Sequence, residues 1–239
     1  IVGKAFGPIM LLWFTMLGSL GAVSVLHHPE ILQALNPYYA HNLLINYPNG
    51  FWLLGAVFLC TTGAEALYSD LGHCGRPNIR LSWAFVKLSL LLNYLGQGAW
   101  LMTQVGSRLH ENPFYSLMPG WFLLFGITVA TIAAIIASQA LVTGSFTLIS
   151  EAIRLNLWPK VKLVYPTNLK GQLYVPSINW LLWLGCIGVV LYFRESEHME
   201  AAYGLAITMA MISTTILMSY YLYTKFKSQV LVLLFLAVY

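Results

Sequence analysis

Six stretches of this chain, near residues 7–26, 50–69, 81–104, 120–150, 174–193 and 201–223, are apolar over about the 20 residues a helix needs to cross a bilayer. A seventh stretch begins at 230–239. In hydrocarbon every backbone N–H and C=O must be bonded within the protein, so such runs fold as helices or close into a barrel. Barrel strands alternate polar and apolar residues over about ten positions, and none of these runs does so. The expected fold is therefore all-α, a single polytopic transmembrane domain covering residues 1–239.

Composition agrees, with 59% of residues hydrophobic and 8% charged, whereas a soluble domain is about 45–50% apolar and about 25% charged. The net charge of +4 does not indicate nucleic acid, because the Lys and Arg residues are scattered between apolar runs and build no basic face. A signal peptide does not account for the first run, which lacks a small-residue cleavage site and is followed by further spans. Ile1 is not an initiator methionine and the last run is half a span, so the sequence reads as a piece of a longer chain.

The charges set orientation, since cytoplasmic connections carry the excess of Lys and Arg. Lys4, Arg76, Arg80, Arg154, Lys160, Lys162, Lys170, Lys225 and Lys227 fall on one side, against Arg108 and Arg194 on the other. The N-terminus of the chain is thus expected in the cytoplasm.

One carboxylate, Glu65, lies inside a span. A buried ionisable group in a membrane is costly and marks a functional site by default; the plainer reading is a residue that reaches headgroups or pairs with Lys87. The sequence before it, Thr61-Thr62-Gly63-Ala64, suits a helix that unwinds, and transporters place ion sites at such breaks. If the helix persists, Thr62, Glu65 and Ser69 share a face and offer hard oxygen ligands suited to an alkali cation.

Other polar residues have simpler readings. Asn93, Gly96, Gln97 and Gly98 suit close helix packing and interhelical hydrogen bonds, as do the hydroxyls and Gln139 of the fourth span. Lys87 reads as a side chain snorkelling to the interface. Tyr203, beside Gly204, is either an interfacial tyrosine or a lid over a pore. His27, His28 and Glu30 lack helical ligand spacing, so no metal is expected there. Cys60, Cys74 and Cys186 read as small buried hydrophobes, not as a disulfide or zinc framework. No nucleophile elbow, phosphate loop or metalloprotease motif is present, which leaves an enzyme reading without support.

Several segments carry a resemblance: FGPIMLLWF at 6–14, NPYYA at 36–40, TTGAEALYSDLGHCG at 61–75, NYLGQGA at 93–99, ASQALVTGSFTL at 137–148, YVPSINW at 174–180 and AAYGLAIT at 201–208. In order along nearly the whole chain, they resemble the KUP/HAK/KT potassium transporters, and the short loops look like the bacterial Kup members. The resemblance implies an inverted-repeat core of the amino acid-polyamine-organocation superfamily, with this chain running from about the fifth helix into the eleventh. It implies proton coupling at Glu65, a helix break at Gly63 and potassium ligation by Thr62 and Tyr203, with Thr61 beside them. The family's first-helix motif, G-D-x-G-T-S-P-L-Y, and its acidic third-helix residue have no counterpart here, so about half of the cation site is expected outside these residues.

The function expected is secondary active potassium uptake by K⁺/H⁺ symport, without a cofactor. Its expected partners are membrane lipid, potassium and protons, and a homodimer is left open. The alternative is an amino-acid or polyamine transporter on the same scaffold. A potassium channel would need a filter such as T-V-G-Y-G, which is missing.

Overall fold

A computed structural model describes residues 2–47, 50–61, 76–104, 106, 112–165, 173–226 and 229–238. Among them the chain is helical apart from turns and one isolated antiparallel bridge between Val164 and Tyr174. In chain order the helices are α1 (Val2–His27), a 3₁₀ helix (Pro29–Leu35), α2 (Pro37–Asn46), α3 (Gly50–Thr61), α4 (Arg76–Thr103) and α5 (Pro113–Ser116). They continue with α6 (Gly120–Arg154), α7 (Pro176–Phe193), α8 (Ser196–Phe226) and α9 (Gln229–Val238).

Four stretches, Ala5–His27, Gly120–Arg154, Pro176–Phe193 and His198–Lys225, are long and apolar enough to cross a membrane. The protein is polytopic. At 28 residues, α4 is about 42 Å long, but Arg80, Lys87, Asn93 and Gln97 dilute its apolar character and it is not among the four. The expected span at 50–69 is described as far as Thr61, and its remainder lies outside the described residues.

Helix ends depart from the apolar runs in a consistent way. The sixth run begins at residue 201, yet α8 starts at Ser196, because a helix continues past the hydrocarbon wherever polar residues tolerate it. The fifth run was expected from 174, yet α7 starts at Pro176. Tyr174 is held before it by two hydrogen bonds with Val164, both 2.9 Å. Proline then opens the helix, since the first turn needs no N–H from it.

The chain divides into two compact units, one comprising Ile1–Leu54 and Thr62–Asn179 and the other Gly55–Thr61 and Trp180–Tyr239. The first is organised on a crossing of α1 and α4. Phe14 meets Phe85 with ring centroids 6.5 Å apart, Gly18 faces Ser89 and Gly21 faces Leu92 and Asn93. Ser24 Oγ donates to the Gly96 carbonyl at 3.0 Å. Partners advance together along both helices, so α1 and α4 run parallel. The chain between His27 and Arg76 therefore returns to the end at which α1 began. Gly96 and Gly21 make the approach possible: a Cβ on Gly96 would lie 2.6 Å from the Gly21 Cα, and one on Gly21 would collide with the Leu92 carbonyl.

On its other side α1 meets α5 and α6 through Met16, Met118 and Val129, with Trp13, Leu20, Phe114, Tyr115, Phe122 and Leu123 around them. Trp13 and Phe114 stack edge to face at 5.7 Å. At its far end α6 closes with Asn156 at φ 57°. The Leu157 N–H donates to Ala152 and the Asn156 N–H to Ile153, a Schellman closure that satisfies two orphan carbonyls. In the second unit α8 and α9 pack together, and most large apolar side chains of α7 and α8 face outward.

Candidate functional site

The residues expected to carry chemistry divide between described and undescribed parts of the chain. Thr62, Gly63 and Glu65 lie outside the described residues, and Thr61 is the last residue of α3. Tyr203 lies in α8 and is half exposed. Its neighbour Gly204 brings these elements together within the second unit: a Cβ there would lie 3.1 Å from Leu59 Cδ2 and 3.5 Å from Cδ1. Leu59 is two residues before Thr61, so the end of α3 leading into the Thr61–Glu65 segment is seated on α8 beside Tyr203. The Gly204 carbonyl also accepts from Thr208 Oγ1 at 2.8 Å. Such a back-bond lets α8 carry a hydroxyl at this contact without an outside partner.

The amide pair of α4 separates. Asn93 is buried at the α1–α4 crossing and its Oδ1 has no hydrogen-bond partner, while Gly96 supplies both the close approach and the acceptor for Ser24. The close packing of small residues expected for this stretch is present, but the interhelical hydrogen bond is made by the Gly96 carbonyl with Ser24 and not by Asn93 Oδ1. Lys87 lies over the Trp83 ring, its Nζ 5.4 Å from the centroid. Among the described residues no three His, Cys, Asp or Glu side chains are grouped as metal ligands.

The polar residues of α6 fall into two sets. Thr128, Thr131, Thr143, Ser145 and Thr147 donate to carbonyls four residues earlier, at 2.8 to 3.1 Å. Ser138 and Gln139 instead line a cleft of about 700 Å³ with Thr131, Thr143, Tyr174 and Asn179. Tyr174, bridged to Val164, packs its ring on Phe146 at 5.7 Å.

The family described as K+ potassium transporter integral membrane domain matches residues 1–239. The chain belongs to this family, KUP/HAK/KT. Its relatives include a protein named probable potassium transport system protein Kup from Flavobacterium johnsoniae, 64% identical over 94% of this chain and 35% of the relative. Proteins of the same name from Cytophaga hutchinsonii and Clostridium perfringens are 63% and 53% identical over 93% and 100% of this chain. This KUP/HAK/KT chain thus spans about a third of the length of these relatives, 35% to 37%. No solved structure matches it.

Sequence reasoning missed three features of this family member. It gave no structure to the segment between α1 and α3, where Asn36 caps α2 by accepting from the Tyr38 N–H at 3.0 Å. Asn112 does the same for α5 through Phe114. The signal was present in both places as Asn-Pro, a cap residue followed by a proline suited to the first helical position. The pairing of Gly21 with Gly96 and the α6 cleft had no local signal, because each joins residues far apart in the chain.

Proposed function

We propose that the full-length protein takes up potassium by K⁺/H⁺ symport across the bacterial inner membrane, with Ile1 of this chain on the cytoplasmic side. Potassium binds where α3 gives way to Thr61, Thr62 and the backbone around Gly63, whose oxygens replace its water shell. Tyr203 closes over the ion, and Glu65 takes a proton from outside and releases it inward. The scaffold is the inverted-repeat core of the amino acid-polyamine-organocation superfamily, of which this chain supplies about the fifth helix into the eleventh. Other helices complete the cation site.

The observation that carries this reading is the seat of Leu59 on Gly204, which sets the end of α3 beside Tyr203. Orientation is supported by the parallel α1–α4 pair, which brings Lys4, Arg76 and Arg80 to one end, where cytoplasmic positive charge belongs. Family and relatives are named for potassium, so an amino-acid or polyamine cargo is not carried forward.

The test is potassium uptake by the full-length protein in proteoliposomes, with and without an inward proton gradient, comparing wild type with Glu65→Gln. Uptake that follows the gradient in wild type and ignores it in the variant supports the mechanism. A variant as active and as gradient-dependent as wild type makes the carboxylate structural and sinks the proposal.

A further inference from the structure

Lys87 is a charged side chain that neither the packing nor the proposed ion site uses, and the α1–α4 crossing fixes its depth. Phe14 meets Phe85 and Gly18 faces Ser89, so Lys87, midway between the two contacts, is level with Met16 of α1. Met16 is the midpoint of the span Ala5–His27, eleven residues from either end. That is about 16 Å of helix on each side. Although α4 is diluted by polar residues, it is tied along its length to a helix that crosses the membrane, and Lys87 hangs from the middle of that crossing.

Helical side chains tilt back toward the N-terminus, and Lys87 does so: its Nζ is 5.4 Å from the centroid of the Trp83 ring, one turn nearer the cytoplasm. One turn covers about a third of the way to the inner edge. The snorkelling expected from the sequence would need the other two, so the ammonium stays within the hydrocarbon. An aromatic face helps to hold it there, but a ring neither replaces an ammonium's hydration nor cancels its charge. Ionised groups at such depth pair with one another in the protein interior.

The described elements packed against α4 bring Lys4 and His27 of α1, Glu30 of the 3₁₀ helix and Tyr115 of α5. Glu30 is the one acid among these, and it adjoins Ile31, which rests on Gly98, eleven residues beyond Lys87 toward the outer end. The counter-charge therefore belongs to another span. In this chain the sequence puts one carboxylate, Glu65, inside a span; helices outside these residues are the other source.

We propose that Lys87 is the fixed counter-charge of a carboxylate inside the membrane, and that by occupying this group it limits how tightly potassium is held. Transport needs sites that an ion can leave, and a tethered ammonium competes with potassium for the same oxygens. The inference rests on the uptake reading for its cargo, and on the depth of Lys87 alone for the pair.

The test uses the full-length protein. Lys87→Met is expected to lower folded yield and unfolding temperature in detergent, because it strands a carboxylate. It should also lower the potassium concentration for half-maximal uptake about threefold or more, whereas a merely structural lysine would raise that concentration or leave it alone. Lys87→Gln, milder at this depth, gives a second reading of the same quantity, and Lys87→Arg should keep wild-type values. Each carboxylate within a span, Glu65 first, is then neutralised in the Lys87→Met background, and folded yield and unfolding temperature are read. Recovery names the partner: Glu65→Gln if it belongs to this chain, a substitution elsewhere if it does not. The inference falls if no neutralisation restores folded protein, or if half-saturation in Lys87→Met and Lys87→Gln is unchanged or higher, which makes Lys87 an anchor solvated by water or headgroups. Should wild type take up potassium without proton coupling, the symport mechanism fails separately, and the rescue still decides the pair.

Discussion

The crossing of α1 on α4 and the outer faces of α8 solve the same problem in opposite ways. At the crossing, polar and small residues are spent on each other: backbones touch at Gly21 and Gly96, Ser24 bonds across to a carbonyl, and Asn93 is sealed in. In α8, none of the most apolar stretch is buried. Its Thr208, Ser213, Thr214 and Thr215 hydroxyls are satisfied by carbonyls of their own helix. The first arrangement fixes geometry; the second leaves these four hydroxyls in need of no neighbour, while Ser219 Oγ farther along α8 is buried without a hydrogen-bond partner. Where hydrophobic driving force between helices is absent, close packing and shared hydrogen bonds distinguish a fixed pair from an available surface.

Substitutions at the crossing should break this contrast most strongly. Gly96→Leu places a side chain into the Gly21 backbone, and the full-length protein is expected to lose folded yield in detergent; Gly21→Ala, the milder insult, is expected to cost about 1–3 kcal/mol or more by thermal or denaturant unfolding. If Gly21→Ala is as stable as wild type, the crossing is looser than described. Next in size, Tyr203→Ala should lower apparent potassium affinity about tenfold, roughly 1.4 kcal/mol, without loss of folded protein. Measuring uptake against potassium concentration tests this, and an unchanged profile would leave Tyr203 an interfacial tyrosine.

Smaller effects sharpen the comparison. Ser24→Ala should cost about 0.6 kcal/mol, the average for an interhelical hydrogen bond in a membrane, whereas Thr214→Val, which removes only a back-bond within α8, should fall within about 0.5 kcal/mol of wild type. Equal losses at both sites would mean that α8 is also held by a partner. Smallest of all, Asn156→Gly should be neutral to slightly stabilising, because φ 57° suits glycine better than any residue with a Cβ.

These contrasts also explain how much could be read before any coordinates. Apolar runs report which stretches enter hydrocarbon, so α1, α6, α7 and α8 were legible to within a few residues. The same runs are blind to where a helix ends in water, which is why Ser196–Glu200 of α8 was missed. The pairing of Gly21 with Gly96 was illegible because a glycine in a membrane helix says that something approaches closely, not what. For the proposed ion site, motif resemblance points to Thr61, Thr62, Glu65 and Tyr203, but the seat of Leu59 on Gly204 joins residues 145 apart by number. Gln139 and Asn179 line one cleft from two different helices, which no local pattern announces.

The Ser24–Gly96 bond spans 72 positions of sequence, and that separation sets an order of assembly. At a synthesis rate of about 5–20 residues per second, α1 waits roughly 4 to 14 seconds before its partner emerges. During that interval the notch at Gly18 and Gly21 is open to lipid or to any other small-residue helix nearby. Biogenesis of this protein therefore depends on keeping one helix uncommitted until its parallel partner arrives.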